Sequence, residues 1–317
     1  MPLALLLSVV VAPQAMGQQY PNKPINLVVP FSPGGTSDIL ARLMAQKASE
    51  SLGQPIIVEN RAGAATTIAG NHVAKSPADG YTWLMAPTPF VITQYAFPNL
   101  RYDTRRDFRP VTILATAPLV FVVSASSPVK SLAELVALSK KKVGGLNFGI
   151  PGRGTLPHLA FELFKLTSGI SATDIPYKGG GELVSALLSN QLDFFIASPA
   201  EISSLVAAGT IRPLAVTSGT RSATWPEVPT VMEAGYPDYG GLLAWFSIVV
   251  PAKTPDDVVA RIHSAIVNAL ASAVVRDRIT ALGMNVGGET SEAFARFLES
   301  EHVRWKAAVS ASGVKLE

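Results

Sequence analysis

Residues 25–38 read INLVVPFSPGGTSD, and this stretch indicates how the chain begins to fold. A run of apolar and β-branched residues is followed by a Pro-Gly-Gly turn, and then by Thr, Ser and Asp, which favour the start of a helix. Residues 37–52 carry apolar side chains at helical spacing, and Gly53 ends that pattern. The stretch is therefore predicted to be a strand, a glycine turn and a helix, the first unit of an α/β fold.

The same alternation of β-prone runs and helical periodicity continues along the chain, and it predicts an α/β protein with a largely parallel sheet. Strands are predicted at residues 25–31, 56–59, 81–86, 119–124, 146–150, 192–197, 212–216 and 244–250. Helices are predicted at 37–52, 66–75, 131–142, 155–168, 181–189, 200–208, 256–271, 274–282 and 291–312. Breaks near residues 124–128 and 235–243 each adjoin a strong strand, so we expect the chain to cross twice between two lobes with a ligand cleft between them.

The composition of the 317 residues excludes several classes of protein. The chain has no cysteine, so disulfides, thiolate nucleophiles and cysteine-bound metal sites are absent. The net charge of +3 comes without a basic stripe, which argues against nucleic-acid binding. None of the motifs of serine hydrolases, P-loop enzymes or zinc proteases occurs, and no cofactor or metal is expected. The four histidines lack metal-ligand spacing, and two of them, His263 and His302, are predicted to lie on solvated helix faces.

The N-terminus resembles a secretory signal peptide. Residues 3–11 are apolar but too few to span a bilayer, which needs about 20 residues. Ala15 and Gly17 are small residues suited to cleavage after Gly17, although a basic segment before the apolar run is missing. We therefore expect residues 1–17 to be removed on export, with a buried N-terminal strand as the alternative.

The glycine turn at residues 31–36, here called turn 1, is a candidate anion site. Its glycines allow a ligand to approach the backbone, and the first N–H groups of the following helix have no partner within the helix. Together with the helix dipole, these N–H groups suit a carboxylate. The alternative is that Thr36 or Ser37 caps the helix and Asp38 complements its dipole.

A second segment repeats this order of strand, glycine turn, hydroxyl and helix. Residues 146–150 form the strand, and PGRGTLPH at residues 151–158, here called turn 2, follows it. Two such turns facing each other across a cleft could hold one carboxylate from both sides. Ligand binding would then be coupled to closure of the lobes.

Seven motifs in the chain resemble those of the Bug (Bordetella uptake gene) family, the periplasmic solute-binding proteins of tripartite tricarboxylate transporters. They are YPxKPI at 20–25, VPFxPGGxxD at 29–38, VENRxG at 58–63, ADGY at 78–81, GxGTxxHL at 152–159, PYKG at 176–179 and PTxxEAG at 229–235. Each motif is weak by itself, but they run in register across residues 20–316. The combination is therefore specific for the family.

The resemblance implies a two-lobed, type II-like periplasmic binding protein fold with a double hinge crossover and a ligand cleft between the lobes. Lobe 1 is expected to comprise residues 18–123 and 244–317, and lobe 2 residues 124–243. The implied protein is a periplasmic monomer that binds a small carboxylate and delivers it to the membrane subunits of a tripartite tricarboxylate transporter.

The resemblance also implies which residues contact the ligand, partly through water. They come from the two turns and from two loops that follow later strands: Phe31, Ser32, Pro33, Gly34, Gly35, Thr36, Asp38, Thr88, Pro89, Phe90, Arg153, Gly154, Thr155, His158, Ala197 and Ser198.

Two departures from the family pattern bear on the ligand. Ala197 stands where many relatives carry Asp, and the loss of a carboxylate that could pair with an amino group argues against an amino-acid ligand. Arg153 adds a guanidinium that could bind a second ligand carboxylate. Phe31, Phe90 and the pair Phe194–Phe195 could form an apolar wall. The favoured ligand is therefore a dicarboxylate, aromatic ones included. The alternative is that Arg153 points to solvent and the phenylalanines belong to the core.

Two other functions remain open from the sequence. A sensor module could present the ligand-loaded lobes to a membrane signalling partner instead of a transporter. A hydrolase could use Asp38 and His158, but no nucleophile stands beside them, so we expect a binding protein and not an enzyme.

Overall fold

The computed structural model describes residues 20–177 and 179–315, and the predicted signal segment at residues 1–17 lies outside them. Its strands are β1 (Ile25–Val29), β2 (Ile56–Asn60), β3 (Thr82–Pro87), β4 (Phe108–Pro118), β5 (Val120–Ser124), β6 (Leu146–Ile150), β7 (Ala172–Pro176), β8 (Phe194–Ala197), β9 (Ile211–Val216), β10 (Leu243–Pro251) and β11 (Asn285–Val286). Its α-helices are α1 (Thr36–Leu52), α2 (Thr67–Ala74), α3 (Pro89–Ala96), α4 (Leu132–Lys141), α5 (Leu156–Ser168), α6 (Gly180–Leu188), α7 (Pro199–Ala207), α8 (Asp256–Ala271), α9 (Ala273–Ala281) and α10 (Ser291–Ser312).

The strands form two mixed sheets. The first sheet has the order β11-β4-β10-β3-β1-β2 and the second the order β7-β6-β8-β5-β9. Each contains one parallel trio, β2-β1-β3 in the first sheet and β7-β6-β8 in the second. The remaining strands pair antiparallel, so neither sheet is largely parallel as the alternating pattern suggests.

The chain passes between the sheets twice. It leaves the first sheet after β4 and enters the second at Leu119, and it returns to β10 at Leu242. Thr217 ties the two passages together, because its hydroxyl accepts a hydrogen bond from the Leu119 N–H at 2.8 Å and donates one to the Leu242 carbonyl at 2.8 Å. The double crossover thus lies where three backbone segments run side by side. The exact lobe boundaries stay a prediction, and the boundary predicted at residue 123 falls within β5, a strand of the second sheet.

Two apolar clusters fill the interior. One lies between the first sheet and the helices α1, α8 and α9, where Leu40, Trp83 and Ile262 are buried. The other covers the opposite face of the first sheet and continues to the second sheet, and it includes Phe121 and Trp305. The second cluster therefore joins the two sheets through shared apolar packing.

Helix α10 contacts both α3 and α5, which flank different sheets. Its Glu301 is fully buried and accepts hydrogen bonds from the indole N–H groups of Trp245 at 2.8 Å and Trp305 at 2.9 Å. The same carboxylate pairs with Arg304. A buried charge is tolerated when it is paired and hydrogen-bonded, so this network anchors the C-terminal helix on β10.

Several elements differ from the sequence prediction. The segment at residues 87–90, predicted as a loop, is the end of β3 and the first turn of α3. Strands β4, β7 and β11 are not predicted from the sequence. Strand β7 has an Asp in its centre and little alternation, and β11 has only two residues, so neither carries the usual pattern of a strand.

The solvated position predicted for His302 is wrong. The ring is 1% exposed, and its Nδ1 lies 3.0 Å from the Tyr95 hydroxyl. Burial disfavours the charged imidazolium and lowers the pKa of His302 from 6.5 to about 4. His302 stands four residues after Leu298 and three before Trp305, both buried, so helical periodicity places it on the apolar face of α10, and the expectation of a solvated position followed instead from the charged residues around it. His263 is only partly exposed, and its Nε2 lies 2.9 Å from the Glu289 carbonyl oxygen.

The buried His302 is expected to make stability depend on pH between about 6.5 and 4. In this window His302 is protonated in the unfolded chain but stays neutral in the folded protein. The free energy of unfolding therefore falls by about 2–3 kcal/mol as the pH decreases. Urea unfolding at several pH values tests this, with the variant His302→Gln as the comparison. Equal pH dependence in the parent and the variant would contradict the expectation.

Candidate ligand-binding site

The predicted site residues follow the carboxyl ends of the parallel strands. Turn 1 follows β1, and Thr88 follows β3, which pairs with β1 in the same direction. Turn 2 follows β6, and Ser198 follows β8, its parallel neighbour. Because parallel strands end at the same edge of a sheet, each sheet brings two of the four predicted segments together.

The side chain of Asp38 holds turn 1 in place through hydrogen bonds. One carboxylate oxygen of Asp38 accepts the Gly34 N–H at 2.9 Å and the Arg42 Nε at 2.9 Å, and the other accepts the Asn60 amide at 2.9 Å. The Asn60 amide also donates to the Phe31 carbonyl at 3.0 Å, which links turn 1 to the end of β2. The conformation of turn 1 therefore depends on a side-chain network that spans α1 and β2.

These donors favour the ionised form of Asp38. The hydrogen bond from Arg42, with smaller contributions from the Gly34 N–H and the Asn60 amide, outweighs the effect of burial and lowers the pKa of Asp38 to about 2. Asp38 is buried, with 4% of its side chain exposed. Asp38 thus supports the turn rather than presenting its carboxylate to a ligand.

The N-terminus of α1 lacks a side-chain cap. The N-cap residue is Gly35, and neither Thr36 nor Ser37 accepts a capping hydrogen bond. Residues 32–36 are exposed, whereas α4 and α10 are capped by Ser131 and Thr290. The alternative that Thr36 or Ser37 caps the helix is therefore wrong, whereas Asp38 does lie in the first turn of α1, as the same alternative expected. The first N–H groups of α1 carry the positive end of the helix dipole next to the exposed turn, an arrangement that suits an anion.

Turn 2 repeats this construction with different side chains. The Gly154 N–H donates to Nδ1 of His158 at 3.0 Å, just as the Gly34 N–H donates to the side chain four residues later. Nε2 of His158 lies 3.1 Å from Asp174 in β7. The Thr155 hydroxyl donates to the Gly152 carbonyl at 2.8 Å and does not cap α5. Both turns are thus fastened to the edge strand of their parallel trio.

Arg153 extends from turn 2 and is exposed. Within the described residues no hydrogen bond or ion pair involves its guanidinium, although its charge acts on the carboxyl of Asp174. The five N–H donors of this side chain therefore remain available to a ligand.

Three of the other predicted contact residues are committed to the protein interior. The Thr88 hydroxyl accepts a hydrogen bond from the main-chain N–H of Trp245 at 2.8 Å, and Phe90 packs edge-on against Phe108. Ala197 is fully buried. Phe194 and Phe195 are buried as well, so they belong to the core, which was the alternative to an apolar wall of the site. Phe31 is partly exposed. The structure therefore leaves the exposed parts of the two turns as the main candidates for ligand contact.

The sequence reasoning missed residues that support the turns. Asn60, the last residue of β2, lies in the VENRxG motif, which indicated the family but not the hydrogen bonds of this side chain to turn 1 and Asp38. The next segment is strained, because Ala64, Ala65 and Thr66 all have positive φ values of 43°, 48° and 87°. Among the described residues the buried Thr66 hydroxyl has no hydrogen-bond partner. Strain of this kind clusters at binding sites, and this segment comes shortly after β2, which pairs with β1, the strand that leads into turn 1.

The arrangement does not support hydrolysis. Asp38 and His158 belong to separate turns, and each accepts the N–H of a glycine in its own turn. A general base needs a free lone pair within reach of a substrate. Both side chains instead hold their turns in shape.

Comparison with known proteins identifies the relatives of this chain. Residues 40–314 match the family described as "Tripartite tricarboxylate transporter family receptor". A Rhodopseudomonas palustris protein, Rpa4515, solved with adipate, is 34% identical with a TM-score of 0.75, covering 93% of this chain and 99% of its own. MatC from Rhodopseudomonas palustris, solved with bound malate, is 29% identical with a TM-score of 0.73, covering 92% and 100%. The periplasmic binding protein BugD is 28% identical with a TM-score of 0.73, covering 94% and 100%. These likenesses confirm the expected fold.

Proposed function

This chain belongs to the receptor family of tripartite tricarboxylate transporters, and we propose that it captures a small dicarboxylate between its two lobes and delivers it to the membrane subunits of such a transporter. As a member of a receptor family it is a solute-binding protein and not an enzyme. The proposal includes removal of residues 1–17 on export to the periplasm and action as a monomer.

The observation that carries the proposal is the pair of glycine turns. Each turn follows the central strand of a parallel trio, precedes a helix without a side-chain cap and is held by a glycine N–H hydrogen bond. Uncapped helix N-termini bind carboxylates through main-chain N–H groups. Rpa4515 and MatC, which are 34% and 29% identical to this chain, were solved with adipate and with malate. Both of these ligands are dicarboxylates.

Arg153 supports a ligand with two carboxylates. The turns supply main-chain donors for one carboxylate, and the unpaired guanidinium of turn 2 can bind a second in bidentate geometry. The family description names a transporter receptor, which favours delivery to membrane subunits over the sensor module.

A thermal-shift panel of mono-, di- and tricarboxylates tests the proposed ligand class. A dicarboxylate present at 100 times its dissociation constant is expected to stabilise the protein by about 2.7 kcal/mol, because it binds only the folded state. Sugars and amino acids serve as controls and are expected to leave the melting temperature unchanged. Stabilisation by a sugar and by no carboxylate would refute the proposed function.

The variant Arg153→Ala tests the second carboxylate. We expect it to weaken dicarboxylate binding by about 10-fold or more and to leave monocarboxylate binding nearly unchanged, because one charge-assisted hydrogen-bonded pair is lost. Isothermal titration calorimetry measures both affinities. Arg221→Ala, which removes an exposed arginine paired with Glu233, is the matched control. An unchanged dicarboxylate affinity in Arg153→Ala would rule out this contact.

A further inference from the structure

The hydrogen-bond partners of the His158 imidazole indicate which tautomer the ring adopts. A main-chain N–H can only donate, so Nδ1 must offer its lone pair to the Gly154 N–H, which lies at 3.0 Å. The proton of the neutral ring is then on Nε2, and it points to Asp174 at 3.1 Å. His158 is 1% exposed, so both ring nitrogens are shielded from solvent.

Four charged groups surround this ring. Asp174 faces it from β7, and Glu162 of α5 lies 3.8 Å from Nε2. Lys165 pairs with Glu162 at 2.8 Å, and Arg153 of turn 2 acts on Asp174. Burial acts to raise the pKa of Asp174, but its pKa is lowered, because the carboxylate accepts a hydrogen bond from His158 and lies near the positive charges of Lys165 and Arg153. Asp174 is therefore an ionised acceptor that favours a proton on Nε2.

A metal ion does not fit this cluster, although His158, Glu162 and Asp174 place ligand atoms within 4.8 Å of one another. A metal on Nε2 would move the ring proton to Nδ1, against the Gly154 N–H. The geometry therefore requires a proton at this position.

Turn 1 shows why turn 2 needs such a partner. In turn 1 the acceptor of the glycine N–H is a carboxylate, which accepts in either orientation. In turn 2 the acceptor is an imidazole, which accepts through Nδ1 only when its proton is on Nε2. The residue that accepts the Nε2 proton thus decides whether turn 2 keeps its hydrogen bond.

We propose that Asp174 is a positioning residue for the ligand site, because by holding the Nε2 proton of His158 it keeps Nδ1 free to accept the Gly154 N–H and so maintains turn 2 in its binding conformation. The expected effect of Asp174 on ligand affinity rests on the proposed function, whereas its effect on the His158 tautomer does not.

Long-range ¹H–¹⁵N NMR of the histidine rings tests the inference without a ligand. The parent protein is expected to show His158 neutral with its proton on Nε2. In Asp174→Ala this tautomer is expected to lose its dominance and the Gly154 amide resonance to shift, whereas Asp174→Asn, whose amide oxygen can still accept, is expected to keep both. Asp193→Ala is the matched control, because Asp193 accepts the Asn147 N–H in the same sheet but does not touch His158.

Calorimetry with adipate and malate at pH 7.5 tests the effect on binding. We expect Asp174→Ala to bind about 10-fold more weakly or worse, and Asp174→Asn and Asp193→Ala to bind within about 3-fold of the parent. If the alanine variant does not fold, Asp174→Val takes its place, since valine suits an edge strand.

Two results would overturn the inference. One is a parent protein in which the His158 proton is on Nδ1, and the other is an alanine variant that loses the tautomer but keeps its affinity. Binding of neither adipate nor malate to the parent would exclude these two ligands and leave the proposed function to the carboxylate panel, and the tautomer and the Gly154 resonance would then decide whether Asp174 positions turn 2.

Discussion

Replacing Glu301 by alanine is expected to lower the free energy of unfolding by about 3–5 kcal/mol, the largest effect of any single substitution considered for this protein. The fully buried carboxylate accepts two indole N–H groups and pairs with Arg304. Its removal leaves two buried donors and a mostly buried guanidinium without a partner. Helix α10 would then lose its polar attachment to β10. Urea unfolding followed by circular dichroism measures the loss.

Two further variants make this test specific. Glu301→Gln keeps an acceptor without the charge, so we expect it to lose about half as much stability. Glu299→Ala, on the same helix, removes an exposed carboxylate paired with Arg105 and is expected to cost about 0–1 kcal/mol. A loss for Glu301→Ala as small as that of Glu299→Ala would show that the network contributes little.

Replacing Asp38 by alanine is expected to lower the free energy of unfolding by about 2–4 kcal/mol and to weaken carboxylate binding at least 10-fold. The variant leaves the Gly34 N–H and the Asn60 amide without their acceptor and frees Arg42. Turn 1 then loses its attachment to α1 and β2, so the main-chain donors of the turn are no longer held in place. Urea unfolding and calorimetry with a dicarboxylate measure the two effects.

The control for Asp38 lies on the same helix. Glu50 is exposed and pairs with Lys47 at 2.6 Å, so Glu50→Ala is expected to change stability by less than about 1 kcal/mol and to leave affinity unchanged. The low pKa of Asp38 adds a second check. Its stabilising effect is present above pH 4 and is lost as the pH falls from about 4 towards 2, where the native carboxylate becomes protonated. Asp38→Ala should lack this part of the acid dependence.

Most of the regular structure could be predicted from the sequence, because it is encoded by local periodicity. Strand β6 and helices α8 and α10 have the predicted limits, and most other predicted elements differ by one to three residues at their ends. Strand β7 could not be predicted, because its edge position permits polar residues and removes the apolar alternation. Helix α3 was not predicted, because Pro89 is typical of a loop, whereas in the structure it occupies the first turn of α3.

The two glycine turns were recognised from their residues, but the roles within them were not. Asp38 and His158 were predicted as ligand contacts, and the predicted contacts themselves stay untested. The structure shows both side chains accepting a glycine N–H of their own turn. Sequence spacing alone does not reveal this, because the direction of a side chain at a helix N-terminus depends on the turn that precedes it.

The sequence by itself determined the α/β class, the family and the position of both turns, because these depend on periodicity and on short motifs that are local in the chain. Only the tertiary structure decided what supports the turns. Asn60 and Asp174 lie 22 and 16 residues beyond the side chains they hold, and parallel pairing of β2 with β1 and of β7 with β6 brings them there. Contacts of this kind follow from strand register, which no local pattern specifies.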